Sequence, residues 1–115
     1  MASNEKIPGP LERRHLIERE LTTDKAVALA DAYIQKGRAA EAVIFLEKAG
    51  AQDRLIALAN DAVEAGDAFL FRIAGQALGE EFAPDRWLAL AAAAEAVGKD
   101  RHAESARRWA KRAEG

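Results

Sequence analysis

The chain has 115 residues, of which 50% are apolar and 31% are charged, and its formal net charge at pH 7 is −2. Alanine occupies 28 positions, whereas β-branched and aromatic residues are sparse. Because alanine is the strongest helix former and β-branched residues favour strands, this composition all but excludes a β-sandwich or β-barrel. The absence of cysteine excludes disulfide frameworks, thiolate nucleophiles and cysteine-bound metals.

Neither a membrane span nor a secretory signal is expected from the sequence. The longest apolar run, residues 87–94, has eight residues, whereas a spanning helix needs about 20. The N-terminal segment is charged throughout, which is unlike a secretory signal. We therefore expect a soluble, all-α protein in the cytoplasm.

The near-neutral total hides an uneven distribution of charge. Residues 1–22 carry four basic and four acidic side chains, residues 23–100 carry eight basic and thirteen acidic ones, and residues 101–115 carry five basic and two acidic ones. An acidic body repels a phosphate backbone, so nucleic-acid binding would have to depend on the C-terminal tail alone. We expect no nucleic-acid partner.

In chain order, the first predicted element is a short helix that follows an extended tail. Residues 1–9 are predicted to be disordered or extended, because proline and glycine at positions 8–10 interrupt any helix. Pro10 suits the first position of a helix, and residues 10–21 place apolar side chains on one side. This segment is predicted to cap the apolar face of the next element.

Three glycines, Gly37, Gly66 and Gly98, end helical patterns in the same way and predict turns with left-handed backbone. Counting back from each glycine reveals a common register of apolar residues. The positions eleven, eight, seven and four residues earlier are Ala26, Leu29, Ala30 and Tyr33; Leu55, Leu58, Ala59 and Ala62; and Trp87, Leu90, Ala91 and Ala94. Residues at these offsets share one face of a helix.

A second amphipathic stretch follows each glycine, so the chain is predicted to form three helix–turn–helix hairpins, at about 23–50, 53–79 and 84–114. Residues suited to helix starts open the first helix of each hairpin. They are Thr23 or Asp24, Asp53, and Pro84 with Asp85.

This pattern resembles the tetratricopeptide-repeat family. The residues that carry the resemblance are Leu29, Ala30, Tyr33, Gly37, Ala42, Leu46 and Ala49 in the first hairpin, and Trp87, Leu90, Ala91, Gly98, Ala103 and Ala110 in the third. The second hairpin departs from the family at Phe71 and Gly75. The glycine spacings of 29 and 32 residues are shorter than the 34 of the family, and no proline closes each repeat.

The resemblance implies a single domain at 10–115, in which three hairpins stack as a short right-handed superhelix behind an N-terminal capping helix. An irregular helical bundle or a related helical solenoid remains the alternative. In the family, the first helices line a concave groove that binds a peptide. The corresponding positions are Val27, Asp31, Ile34 and Gln35; Ile56, Asn60, Val63 and Glu64; and Leu88, Ala92, Glu95 and Ala96.

These groove positions combine apolar side chains with acids and include no lysine or arginine. Asn60 matches an asparagine of the clamp with which the family holds a peptide carboxylate, but Val27 stands where the first lysine of that clamp would be. The strip is better suited to a basic, apolar or amphipathic segment of a partner. Asp31, Asn60 and Glu64 would orient that segment, while Ile34, Ile56 and Val63 supply apolar area.

No pattern in the sequence indicates catalysis, a cofactor or a metal. His15 and His102 lie in different segments without a second ligand one helical turn away, and Ser3 and Ser105 lack a neighbouring base. Glu80 and Glu81 occupy a loop, where solvation is the expected role. We therefore predict a protein that is not an enzyme but an adaptor or scaffold.

The last helix suggests two alternatives to this function. Trp109 is surrounded by Arg101, Arg107, Arg108, Lys111 and Arg112, a composition that also occurs in helices bound to anionic surfaces. The interpretation as a polar cap is favoured, because cations late in a helix are stabilised by its dipole, and Trp109 is then predicted to pack near Trp87. Self-assembly through the ends of the repeat array is the other alternative.

Overall fold

The computed structural model describes residues 7–18 and 21–115, and within these ranges it contains seven α-helices and no strand. Helices account for 80% of this part of the chain, so the all-α prediction is confirmed. The helices are α1 (Pro10–Glu18), α2 (Thr23–Gln35), α3 (Ala39–Ala49), α4 (Gln52–Ala65), α5 (Ala68–Leu78), α6 (Pro84–Ala96) and α7 (Asp100–Glu114). The expected disorder of residues 1–6 and the end of the predicted capping segment, residues 19–20, lie outside the described residues.

The predicted helix starts agree with the structure to within one residue. Thr22 caps α2, because its hydroxyl accepts a hydrogen bond from the Lys25 amide at 3.2 Å. Pro84 is the first residue of α6, where its missing N–H leaves no backbone partner unsatisfied. Gln52, one residue before the expected Asp53, begins α4.

The chain divides into two compact units, Met1–Gln52 and Asp53–Gly115. In the first unit, α2 and α3 form a hairpin around Gly37, whose φ of 74° confirms the predicted left-handed turn. The rings of Tyr33 and Phe45 stack inside it with centroids 5.6 Å apart. Arg13 of α1 lies over both rings and donates a hydrogen bond to the Glu41 carbonyl at 3.0 Å, which attaches α1 to this hairpin.

An exposed ion pair marks the beginning of α3. Arg38 Nη2 donates to Glu41 Oε2 at 2.7 Å, and the guanidinium also lies 5.3 Å from the centroid of the Tyr33 ring. The hydrogen bonds from Arg38 lower the pKa of the Glu41 carboxyl, and those same bonds raise the pKa of Arg38.

In the second unit, α4 and α6 are neighbours that run in the same direction. Asn60 of α4 contacts Arg86 near the start of α6, and Gly66 at the end of α4 lies against Ala94 near the end of α6. The α4 end is fixed further by Lys99, whose Nζ donates to the Ala65 carbonyl at 2.8 Å. A C-terminal carbonyl of α4 that has no partner within its own helix is thereby satisfied.

The helices α5 and α7 are also parallel neighbours. The Ala68 amide at the start of α5 donates to His102 Nδ1 on the first turn of α7 at 3.0 Å. Further along both helices, the guanidinium of Arg72 lies 5.6 Å from the centroid of the Trp109 ring. The second unit therefore contains the hairpin α6–α7 and two pairs of parallel neighbours, α4 with α6 and α5 with α7.

Gly66, the residue that follows α4, lies close to the backbone of α6. Its φ is 70°, and a Cβ built on it would lie 2.5 Å from Ala94 Cα. Gly98 has a similar φ of 77°, but a Cβ there would meet nothing within 4 Å. The two turns share a backbone conformation, but Gly66 is buried against the next helix and Gly98 is exposed, so Gly98 serves as the control for Gly66.

We predict that Gly66→Ala destabilises the protein far more than Gly98→Ala. The left-handed backbone costs about 1–2 kcal/mol in both variants, and the contact with the α6 backbone adds about 1–3 kcal/mol in Gly66→Ala alone. Urea unfolding followed by circular dichroism measures both values. Equal losses of stability would contradict the close approach of Gly66 to Ala94.

The start of α5 receives two side-chain acceptors from different parts of the second unit. Asp67 Oδ1 accepts from the Leu70 amide at 3.0 Å, and His102 Nδ1 accepts from the Ala68 amide. Because both amides lack partners within the helix, each acceptor stabilises the first turn. A tertiary contact thus completes the cap of this helix.

We predict that His102→Ala lowers the free energy of unfolding by about 0.5–2 kcal/mol, the usual value of a lost helix cap. The exposed His15 of α1 provides the control, since His15→Ala removes an imidazole without a capping role. Chemical denaturation of both variants at neutral pH measures the difference. Equal stability of the two variants would exclude a capping role for His102.

Candidate functional site

The predicted groove residues of the second unit remain accessible on two adjacent parallel helices. We call this set the α4–α6 strip; it consists of Ile56, Asn60, Val63 and Glu64 on α4 and Leu88, Ala92, Glu95 and Ala96 on α6. Val63 is half-buried and the others are exposed. Ile56 and Leu88 are large apolar side chains that remain 45% and 50% exposed.

The remaining predicted groove residues belong to α2 in the first unit. Val27, Asp31 and Ile34 are half-buried there, and Gln35 is exposed. Their role in binding remains a prediction from the sequence.

Two arginines add positive charge beside the α4–α6 strip, whose own residues include no lysine or arginine. Arg86 Nη2 donates to Asn60 Oδ1 at 2.7 Å, and Arg107 of α7 forms an ion pair with Glu95 at 2.9 Å. Neither arginine is one of the groove positions, so both guanidiniums border the strip rather than belong to it. Glu64 is exposed and makes no ion pair with any residue that the structure describes.

A cluster of four aromatic rings fills the other part of the second unit. Phe71 stacks on Phe82 with centroids 4.0 Å apart and meets Trp87 edge to face at 4.7 Å. Trp87 in turn stacks on Trp109 at 5.8 Å, which confirms the predicted contact between the two tryptophans. Arg86 lies over Phe71 and Phe82 at 5.2 and 5.0 Å, so one side chain joins this cluster to the strip residue Asn60.

Sequence analysis did not identify Phe82 as a core residue because Phe82 lies in the loop between α5 and α6, outside any helical register. Its ring is nevertheless buried, and it rests on Gly75 of α5. A Cβ at Gly75 would lie 2.7 Å from Phe82 Cε2 and 3.2 Å from the Glu80 carbonyl oxygen. The departure from the tetratricopeptide pattern at Gly75 is the one signal in the sequence that a loop side chain lies here.

We predict that Gly75→Ala destabilises the protein, although alanine is the better helix former by about 1 kcal/mol. Overpacking against Phe82 should outweigh that gain and leave a net loss of about 1–2 kcal/mol. In a Phe82→Ala background the clash with the ring is absent, and Gly75→Ala should be neutral or stabilising. A double-mutant cycle measured by urea unfolding tests this, and additive effects would contradict the contact.

The basic side chains of α7 are largely engaged within the protein. Arg107 pairs with Glu95, and Arg108 lies 3.7 Å from a glutamate oxygen one turn earlier on α7. The guanidinium of Arg112 lies 4.7 Å from the centroid of the Trp109 ring. The two ion pairs of Arg107 and Arg108 leave fewer cations available for an anionic surface than the sequence alone indicates.

The other polar candidates are dispersed over the described residues. His15 is exposed on α1, His102 caps α5, Ser105 is half-buried on α7, and Glu80 and Glu81 are exposed in their loop. Within residues 7–18 and 21–115, no three histidine or acidic side chains are arranged to hold a metal ion.

Comparison with family models, with curated proteins and with solved structures returned no match. None of the helices in residues 7–18 and 21–115 has the length and apolar content needed to cross a membrane.

Proposed function

We propose that this protein is a non-catalytic protein–protein interaction module, an adaptor or scaffold of the tetratricopeptide type. Its α4–α6 strip would bind a peptide segment of a partner protein. The observation that carries the proposal is the exposure of Ile56 and Leu88 on neighbouring parallel helices of the same unit. Apolar side chains flanked by polar ones are typical of surfaces that bind peptides.

The polar residues of the strip favour a peptide that carries both apolar and basic side chains. Glu64 offers a carboxylate to a lysine or arginine, and Glu95 offers a second one in competition with Arg107. Such charges fix the position and direction of a bound segment more than they add to its affinity. Burial of Ile56 and Leu88 would supply most of the affinity through removal of apolar surface from water.

The parallel arrangement of like helices supports the comparison with tetratricopeptide repeats. In that family the first helices of successive hairpins line the binding surface, and α4 and α6 are the first helices of the second and third predicted hairpins. The binding surface proposed here is limited to the second unit, in which the contacts of Asn60 with Arg86 and of Gly66 with Ala94 make α4 and α6 neighbours.

A displayed library of random peptides, selected on the full chain, tests this function. We predict enrichment of peptides with lysine or arginine beside large apolar residues, and an enriched peptide should lose about tenfold or more in affinity for an Ile56→Asp/Leu88→Asp variant. Fluorescence anisotropy of the labelled peptide measures this loss. Glu64→Lys should lower the affinity for the same peptide, and this loss should become smaller at high salt, which screens exposed charges.

The matched control is Phe69→Asp/Val97→Asp, which changes two other exposed apolar residues of the same unit outside the strip. This variant should bind the peptide as the unchanged protein does, with both variants equally helical by circular dichroism. Equal loss of binding in the two variants, or a selection that enriches no basic and apolar peptides, would refute the proposed function.

A further inference from the structure

The second unit contains a cavity of about 530 Å³ that the proposed peptide-binding function does not use. It lies among the end of α5, the loop before α6, the start of α6 and the end of α7, and none of the strip residues lines it. Its volume falls within the range of about 300–1,000 Å³ that is usual for small-molecule sites. Three aromatic side chains, Phe82, Trp87 and Trp109, form part of its wall.

Two arginines, Arg72 and Arg112, line the same cavity without a carboxylate partner. Their guanidinium carbons lie 5.6 and 4.7 Å from the centroid of the Trp109 ring, and neither side chain forms an ion pair or a hydrogen bond with the residues that the structure describes. Arg72 is half-buried. In contrast, Arg86 and Arg107 of the same unit hydrogen-bond to Asn60 and Glu95.

An arginine that rests on an aromatic ring has its planar group oriented before any ligand arrives. The N–H donors of a guanidinium match the two oxygens of a carboxylate, and charge-assisted bonds of this kind are about twice as strong as neutral ones. Aromatic walls favour a flat apolar ring, which packs in offset-stacked or edge-to-face geometry. The cavity thus combines two guanidiniums that have no carboxylate partner among the described residues with aromatic surface for one planar ring.

Glu80 and Glu81 limit the charge that such a ligand can carry. Both belong to the loop that lines the cavity, and both are exposed. Their negative charge opposes a polyanion such as a nucleotide, since like charges at short range repel each other. A ligand with a single carboxylate satisfies the arginines with the least repulsion from this loop.

We propose that this cavity binds a small aromatic carboxylate. The carboxylate is held by Arg72 and Arg112, and the ring packs mainly against the half-buried Trp109, with the small exposed parts of Phe82 and Trp87 beside it. Trp109 supports both guanidiniums and so acts as a positioning residue. The site is separate from the α4–α6 strip, so its ligand binding does not depend on the proposed peptide binding.

The two tryptophans of the chain both line the cavity, so their fluorescence reports its occupancy directly. Three probes separate the parts of the proposal: phenylacetate has ring and charge, phenylacetamide has the ring alone, and acetate has the charge alone. Phenylacetate should change the tryptophan emission of the full chain and bind at least about tenfold more tightly than either other probe. Titration calorimetry of the same solutions provides the dissociation constants.

Charge removal from two positions tests the role of the arginines. The variant Arg72→Gln/Arg112→Gln should lower the affinity for phenylacetate about tenfold or more, because it removes both charged donors. Arg101→Gln/Arg108→Gln removes the same charge from exposed positions on α7 outside the cavity, and should leave the affinity unchanged. If the first variant unfolds, Arg112→Gln alone can be used, because Arg112 is exposed and its replacement should not disturb the fold. This single variant should still lower the affinity for phenylacetate several-fold.

Three results would overturn the proposal. Equal affinity for phenylacetamide would show an apolar cavity without recognition of an anion. An equal effect of the two double variants would show a general response to net charge. An absence of any fluorescence change or heat with phenylacetate at millimolar concentration would show that the cavity does not bind this class of ligand.

Discussion

The close packing of helices along alanine-lined faces is the constraint on which the rest of this structure depends. More than half of the buried apolar side chains among the described residues are alanines, and they occur in every helix from α2 to α7. A methyl group fills little space, so backbones approach closely, as they do where Gly66 meets Ala94. Such packing buries little apolar area per residue, which places most of the hydrophobic stabilisation on a few large side chains.

In the second unit those large side chains are aromatic and are gathered in one cluster. The rings contact one another in the order Phe82, Phe71, Trp87 and Trp109, and arginines cover the two outer rings, Phe82 and Trp109. Each arginine shields apolar surface with its planar group and keeps its donors available to other partners. Arg86 donates a hydrogen bond to Asn60, whereas Arg72 and Arg112 donate none to the residues that the structure describes. Arg86 therefore borders the proposed peptide surface, whereas Arg72 and Arg112 belong to the proposed ligand cavity.

The sequence predicts the parts of the structure that follow a helical period. Helix positions, the turn at Gly37 and the contact between Trp87 and Trp109 all follow from apolar spacing and from glycines that end a register. The period carries no information about a loop side chain such as Phe82, which is buried through a tertiary contact. The period also does not determine where long flexible side chains lie, so it does not predict the contacts of Arg86. The candidate cavity depends on both kinds of residue.

The placement of the chromophores has a practical consequence. The only tyrosine of the chain, Tyr33, belongs to the unit Met1–Gln52, and both tryptophans belong to Asp53–Gly115. Light absorbed by indole alone therefore observes the second unit, while the far-ultraviolet circular dichroism of the helices observes both units. The cooperativity between the two units becomes measurable in the unaltered chain, without an introduced label: coincident melting curves at the two wavelengths mean one folding transition, and separated curves mean two.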